Sequence, residues 1–214
     1  MCGTSITLMP KSILTGLLHL RDAIIPPRPT ELIVRRLTLE ELIDIPRMLH
    51  GALPYHDERV RALVWEIKYY ANRRALSLCG TLLAEAFMEL AQESVERILL
   101  IPIPMHKARR RERGHNQTEL LAKAALAETG NIFEYVPRAL VRSKNTVPQQ
   151  GLPQSKRRTN VTGSMVVPNK DLVRGRVCLV LDDVSTTGAT FAEAERALKK
   201  AGAQSVLTVA LANS

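Results

Sequence analysis

The stretch Val177–Thr190, VCLVLDDVSTTGAT, decides how the chain is read. Val177 to Leu181 is a short apolar run, suited to a fully buried strand of a parallel sheet. Asp182 and Asp183 follow at once. Then come small and hydroxyl-bearing residues, Ser185-Thr186-Thr187-Gly188-Ala189-Thr190. Phe191 to Ala201 places Ala and Leu on one stripe and charges on the other, which predicts a helix. Strand, acidic pair, hydroxyl-rich turn and helix start together describe a phosphate cradle with two carboxylates beside it.

The chemistry follows from the groups present. A helix start leaves backbone N–H groups unpaired and carries partial positive charge, so a phosphate is favoured there. Gly188 lets the backbone approach closely or take a positive φ. The hydroxyls of Ser185, Thr186, Thr187 and Thr190 can each donate to a phosphate oxygen. Asp182 and Asp183 would repel that phosphate if aimed at it. They suit neighbouring sugar hydroxyls, with a divalent cation nearby to offset their charge. The ligand so described is a sugar 5-phosphate with a free cis-diol.

LVLDDVSTTGAT resembles the PRPP-binding signature of the type I phosphoribosyltransferases. The resemblance implies an α/β fold with a mainly parallel central sheet flanked by helices. It also implies that Asp182 and Asp183 hold the ribose hydroxyls while Ser185 to Thr190 wraps the 5-phosphate. A buried strand capped by Asp and followed by an ordinary turn is the alternative.

The chain has 214 residues, 45% of them hydrophobic, enough for one substantial domain with a buried core. Its net charge of +9 favours anionic partners, phosphorylated metabolites or nucleic acid, without choosing between them. Aromatics make up only 4%, which argues against base stacking on exposed rings. Cys2, Cys79 and Cys178 stand far apart, with no zinc spacing or disulfide framework. No apolar run reaches the length of a membrane span, and Ile13 to Leu18 lacks the surroundings of a signal peptide. A reduced, cytoplasmic protein with no membrane partner is expected.

Residues 1–50 look like a helical N-terminal extension, and residues 51–214 form the main domain. In the extension, Ser12 to Ile25 has helical spacing ended by Pro26, Pro27 and Pro29, and Leu37 to Ile45 is a second short helix. His56 to Tyr70 is amphipathic, with Val60, Leu63, Val64 and Ile67 on one stripe. Leu76 to Leu90 follows as a stronger helix with Leu78, Leu82, Phe87 and Leu90 as core candidates. Lys68 is either a ligand-facing cation or a solvated helix end. Further strands are expected at Arg97–Pro104, within Asn131–Arg142 and at Val161–Val167. Asn169 to Gly175 reads as a turn, and Ser205 to Leu211 as the last strand.

A second chemical segment lies between the strand Arg97–Pro104 and a helix from Asn116 to Ala127. There His106 to His115, HKARRRERGH, carries five cations (Lys107, Arg109, Arg110, Arg111, Arg113) against Glu112. A basic loop at a strand's carboxyl end, leading into a helix start, is where an α/β sheet binds anions. Arg grips phosphate oxygens in pairs. A third segment, Ser143 to Asn160, is polar and aperiodic, and ends in Lys156-Arg157-Arg158 and Asn160. Long structureless insertions in compact domains are usually functional or disordered.

IPIPMHKARRRERGHNQ, with Asn116 and Gln117 at its end, resembles the corresponding stretch of the ComF branch of phosphoribosyltransferases, associated with competence for DNA uptake. His115 stands where that pattern has Phe. The resemblance implies that His106, Lys107, Arg110, Arg113, Asn116 and Gln117 belong to a pyrophosphate loop. The spacing from Gln150 through Lys156, Arg157 and Arg158 to Asn160 resembles the loop that closes over PRPP in the same branch. Arg157 is thereby placed with Asp182 and Asp183 as catalytic. An exposed basic patch and a plain surface loop are the respective alternatives. ComF relatives carry an N-terminal cysteine-rich zinc module; its cysteines are absent here, and zinc is not expected.

The resemblance implies a transferase that binds PRPP with Mg2+, held mainly by PRPP near Asp182 and Asp183. Phosphoribose would pass to or from an unidentified nitrogen acceptor with pyrophosphate release. The competing reading is a non-catalytic PRPP- or nucleotide-binding regulator, or a DNA-uptake or recombination accessory. Nucleic acid and a homodimer are left open as partners.

Overall fold

The structure, a computed structural model, describes residues 26–48, 52–92, 96–130, 132–144 and 162–214. Its centre is a five-stranded sheet in the order β1-β7-β6-β2-β3, every pair parallel. The strands are β1 (Leu53–Pro54), β2 (Ile98–Pro102), β3 (Phe133–Tyr135), β6 (Val177–Ser185) and β7 (Ser205–Asn213). A separate two-stranded antiparallel ladder joins β4 (Val141–Arg142) to β5 (Met165–Val166). The α/β architecture expected from the sequence is therefore present.

Alternation along β2 and β6 assigns the two faces. Ile98, Leu100, Leu179 and Leu181 point into a core shared with α3 (Glu58–Tyr70), α4 (Arg73–Ala91) and α6 (Gln117–Thr129). Leu99, Ile101, Cys178 and Val180 face the other side, against α7 (Ala189–Lys200) and Met165 of β5. Burial on both faces is why VCLVL reads as a continuous apolar run. The stripe Val60, Leu63, Val64 and Ile67 is buried as its spacing predicts. Phe87 and Leu82 are buried too, whereas Leu78 and Leu90 are only partly so.

Several boundaries differ from the sequence reading. Pro29 opens a helix, α1 (Pro29–Arg36), because a proline at N1 sacrifices no hydrogen bond. The short helix α2 (Leu39–Ile43) starts at a Thr38–Glu41 capping box. Val34, Leu37, Leu42 and Ile45 belong to the same buried cluster as the sheet. The strand expected over Val161–Val167 is reduced to the two residues of β5, and the turn Asn169–Gly175 holds a 3-10 helix over Lys170–Leu172. The Ser12–Ile25 helix and most of the Ser143–Asn160 segment, including Gln150, Lys156, Arg157, Arg158 and Asn160, lie outside the described residues.

α3 is tied to the sheet at one end and to the basic segment at the other. Tyr55 N–H donates to Asn213 O at 2.8 Å, and Asn213 is in register with Ser185 of β6. At the far end of α3, His115 Nε2 lies 3.1 Å from Ile67 O, the position where the ComF pattern has Phe. The helix thus crosses the carboxyl edge of the sheet from β7 toward the segment after β2.

Candidate functional site

β6 is longer than its apolar run suggests. It continues through both aspartates to Ser185, so the acidic pair sits in the last residues of the strand. Asp182 is in register with Ala210, and Ser185 with Asn213. The turn is correspondingly short, Thr186 to Gly188, and α7 begins at Ala189, two residues before the expected Phe191. Gly188 has φ 69° and N-caps α7 with no side-chain hydrogen bond at that cap. A Cβ there would meet nothing within 4 Å, so glycine is needed for the left-handed backbone. Gly188, having no side chain, offers no cap hydrogen bond to the start of α7.

The carboxylates occupy different surroundings. Asp182 is 8% exposed, and its Oδ1 accepts the Asp183 N–H at 2.9 Å. Burial, then the adjacent Asp183 charge, push the Asp182 carboxyl well above the usual range, while Arg142 opposes the shift. Asp183 is half-buried, and its Oδ2 accepts from Gln117 Nε2 at 3.2 Å.

Three elements meet around this pair. Ile103 N–H donates to Leu181 O at 2.8 Å, which lays the segment after β2 beside the aspartates. Ile103 O in turn accepts from Asn116 Nδ2 (3.1 Å) and Thr118 Oγ1 (2.8 Å), fixing the start of α6. Arg142, on β4, donates Nε to Pro104 O at 3.1 Å. Burial lowers the Arg142 pKa, and the Asp182 charge counteracts that. Nothing in the sequence marks Arg142, a lone cation at the end of a two-residue strand.

The basic segment is not a loop. Lys107–Arg113 forms the helix α5, opened by His106, whose Nδ1 accepts from Ala108 N–H at 3.3 Å, and closed by Gly114 at φ 80°. Its cations point in different directions. Arg110 makes a two-pronged pair with Glu119 (2.7 and 3.0 Å), Arg113 lies 5.2 Å from the Tyr69 ring centroid, and Lys107 is exposed. Arg109 is half-buried, its pKa lowered first by burial and then by Arg113. Asn116 is the N-cap of α6, accepting from Thr118 N–H at 3.3 Å.

Two buried polar atoms in the site have no protein partner, Thr187 Oγ1 and Gln117 Oε1. A hydroxyl in the turn and an amide beside Asp183 are thus left for a polar ligand. Around the Asp pair, the glycine-capped start of α7, an unmatched hydroxyl and an unmatched amide oxygen converge.

A model of the phosphoribosyl transferase domain matches residues 68–214. The chain belongs to that family. Within it, 119 residues are 34% identical to competence protein F of Haemophilus influenzae, covering 54% of this chain and 50% of that protein. A stretch of 107 residues is 32% identical to the DNA utilization protein YhgH of Escherichia coli O157:H7, covering 50% and 45% respectively. These relatives agree with the ComF resemblance; the chain spans about half the length of each. Among solved structures, the chain is similar to glutamine PRPP amidotransferase from B. subtilis at 20% identity and a TM-score of 0.43. That match covers 69% of this phosphoribosyltransferase-family chain and 30% of the other.

Proposed function

We propose that this phosphoribosyltransferase-family protein binds PRPP and transfers its phosphoribosyl group to a nitrogen acceptor, releasing pyrophosphate. The observation that carries the reading is the partnerless Thr187 Oγ1 beside the glycine-capped α7 start, close in sequence to Asp182 and Asp183. The 5-phosphate would take the α7 amides and the hydroxyls of Ser185, Thr186, Thr187 and Thr190. Asp183, oriented by Gln117, and Asp182 would accept from the two ribose hydroxyls. Pyrophosphate would lie toward Lys107, Arg109 and Arg113, and Arg157 would be the catalytic cation, with Lys156 and Arg158 as further substrate contacts.

Magnesium fits the donor set as a cation shared with substrate. Asp182 and Asp183 would offer hard oxygen atoms beside a magnesium ion held mainly by PRPP. Bound there, the metal supplies charge neutralisation on the leaving pyrophosphate. The chain's own contribution is to fix the ribose against the phosphate turn and to set cations where negative charge grows. No side-chain nucleophile is required.

Calorimetric titration with PRPP and magnesium tests the reading. Binding should weaken by at least about tenfold when both carboxylates are neutralised in Asp182→Asn/Asp183→Asn, given what a hydrogen bond to a charged group contributes. Equal heats for both proteins would rule it out. Pyrophosphate release across a panel of bases and amines then identifies the acceptor.

A second reading is favoured by the names of the two relatives, a competence protein and a DNA utilization protein. In it the chain handles nucleic acid, with or without turnover of PRPP. Binding of labelled DNA, weakened by rising salt, is its test.

A further inference from the structure

The sequence holds eight aromatic residues (one Trp, four Tyr, three Phe), too few on average for a stacking surface. Their distribution is uneven. Trp65, Tyr69 and Tyr70 sit on α3 and are 47%, 39% and 47% exposed. Trp65 and Tyr69 are one helical turn apart, with ring centroids 4.4 Å from each other and planes tilted by 48°. Arg61 precedes Trp65 by another turn and is exposed on the same face.

Cations surround these rings. The Arg113 guanidinium, arriving from α5, lies 5.2 Å from the Tyr69 centroid, and the Lys68 ammonium 5.6 Å from it. Arg28 covers Tyr70 at 3.5 Å while holding Glu66. The buried stripe of α3 already supplies its core contacts, so packing does not account for an outward Trp–Tyr pair. A protein surface gains little from exposing such rings unless something covers them.

We propose that the Arg61–Trp65–Tyr69 face of α3, extended by Lys68 and Arg113, binds single-stranded nucleic acid. Unpaired bases would stack on Trp65 and Tyr69, and the backbone phosphates would meet the three flanking cations. Trp65 and Tyr69 are each more than a third exposed, which suits a strand laid across them better than a small molecule enclosed in a pocket. A duplex keeps its bases stacked on one another and offers no free ring faces to this surface. The inference rests on the nucleic-acid reading of the chain and gives it a location; it needs no PRPP turnover, although Arg113 is shared with the proposed pyrophosphate side.

Trp65 is the only tryptophan of the chain, so its own fluorescence reports occupancy. A labelled oligothymidylate of about 20 nucleotides, longer than one stacking site requires, is titrated into the full chain while anisotropy and tryptophan emission are followed. Quenching should track the anisotropy, and the single strand should bind more tightly than the matching duplex. Trp65→Ala/Tyr69→Ala should weaken the strand by at least about tenfold, from the stacking lost per base, with an unchanged melting temperature. Arg61→Gln should lower the slope of log affinity against log salt by about one.

Strand binding without quenching, or with equal affinity in the double variant, overturns the platform and leaves the nucleic-acid reading on another face. Equal or tighter duplex binding also overturns it, as does equal quenching by free nucleoside monophosphates. If no strand binds at all, the platform and the nucleic-acid reading fall together.

Discussion

Ionised, Asp182 carries a desolvation cost in the free protein. Its folded pKa is raised, so its contribution to stability is full below the unfolded value and is lost as pH rises through the folded one. Burial disfavours the charged form of this carboxyl in the free protein, and Asp182→Asn should stabilise it by about 0.5–2 kcal/mol, the usual range for relaxing a functional site. The same change should weaken PRPP. Thermal melting at pH 7 with and without PRPP checks both; a lower melting temperature in the free variant would contradict the assignment. Glu66 has the opposite sign. Burial pushes its carboxyl up, but hydrogen bonds from Arg28 (3.1 and 2.9 Å), Thr30 (2.7 Å) and Asn72 (3.0 Å) outweigh that and hold it below its ordinary 4.5. Its stabilisation is present above pH 4.5 and is lost as pH falls through the lower folded value. Glu66→Gln should cost roughly 1–3 kcal/mol at pH 7, toward the low end because the Arg28 side chain is 38% exposed. That difference should shrink in acid denaturation curves below pH 4.

Two glycines show how elements impose different demands. Gly80 lies where α4 crosses α6, and a Cβ added there would stand 2.8 Å from Ala124 Cβ and 2.9 Å from its carbonyl carbon. Alanine gains about 1 kcal/mol of helix propensity, yet overpacking of this kind costs about 1–3 kcal/mol. Gly80→Ala should be net destabilising and Gly80→Val more so; denaturant midpoints that rise would show that the helices simply part. Gly188→Ala meets open space, so its cost is only the left-handed backbone, about 1–2 kcal/mol. There PRPP affinity should fall more than stability does, because the α7 amides lose their aim. Elements with strong periodicity, such as α3 and β6, are legible because burial on one or both faces is written into residue spacing. α5 is not. KARRRER has no apolar stripe, and its helicity comes from the His106 cap and the Gly114 exit. The extension of β6 through Asp182 and Asp183 is equally hidden, because pairing with β7, not hydrophobicity, carries it. Of the site, Asp182, Asp183 and the turn are readable from order alone. The nearness of Arg142 depends on a distant β4 folding back, for which local sequence has no signal.

At the scale of the molecule, the Thr186–Gly188 turn and the β4–β5 ladder are joined through α7. The ladder has two residue pairs, Val141↔Val166 and Arg142↔Met165, too few to persist alone. Its anchor is α7, the helix that begins just after Gly188. Glu193 is 4% exposed; it accepts from Met165 N–H at 2.9 Å and is gripped by Arg196 at 2.8 Å through both Nε and Nη2. Arg196 Nη2 also donates to Met165 O at 3.3 Å. A pull on β5 is thus transmitted to α7, and through Arg142 on β4 to the surroundings of Asp182. Glu193→Ala should unfasten the ladder while leaving the five-stranded sheet intact. Amide exchange at residues 164–166 should quicken by about 5- to 150-fold, the equivalent of losing about 1–3 kcal/mol of buried hydrogen bonding. Exchange in β6 should not change. PRPP affinity should fall although Glu193 touches no ligand atom, because Arg142 loses its station beside the acidic pair. If exchange instead rises equally in β6 and β5, Glu193 serves the global fold and the two segments are not separately coupled.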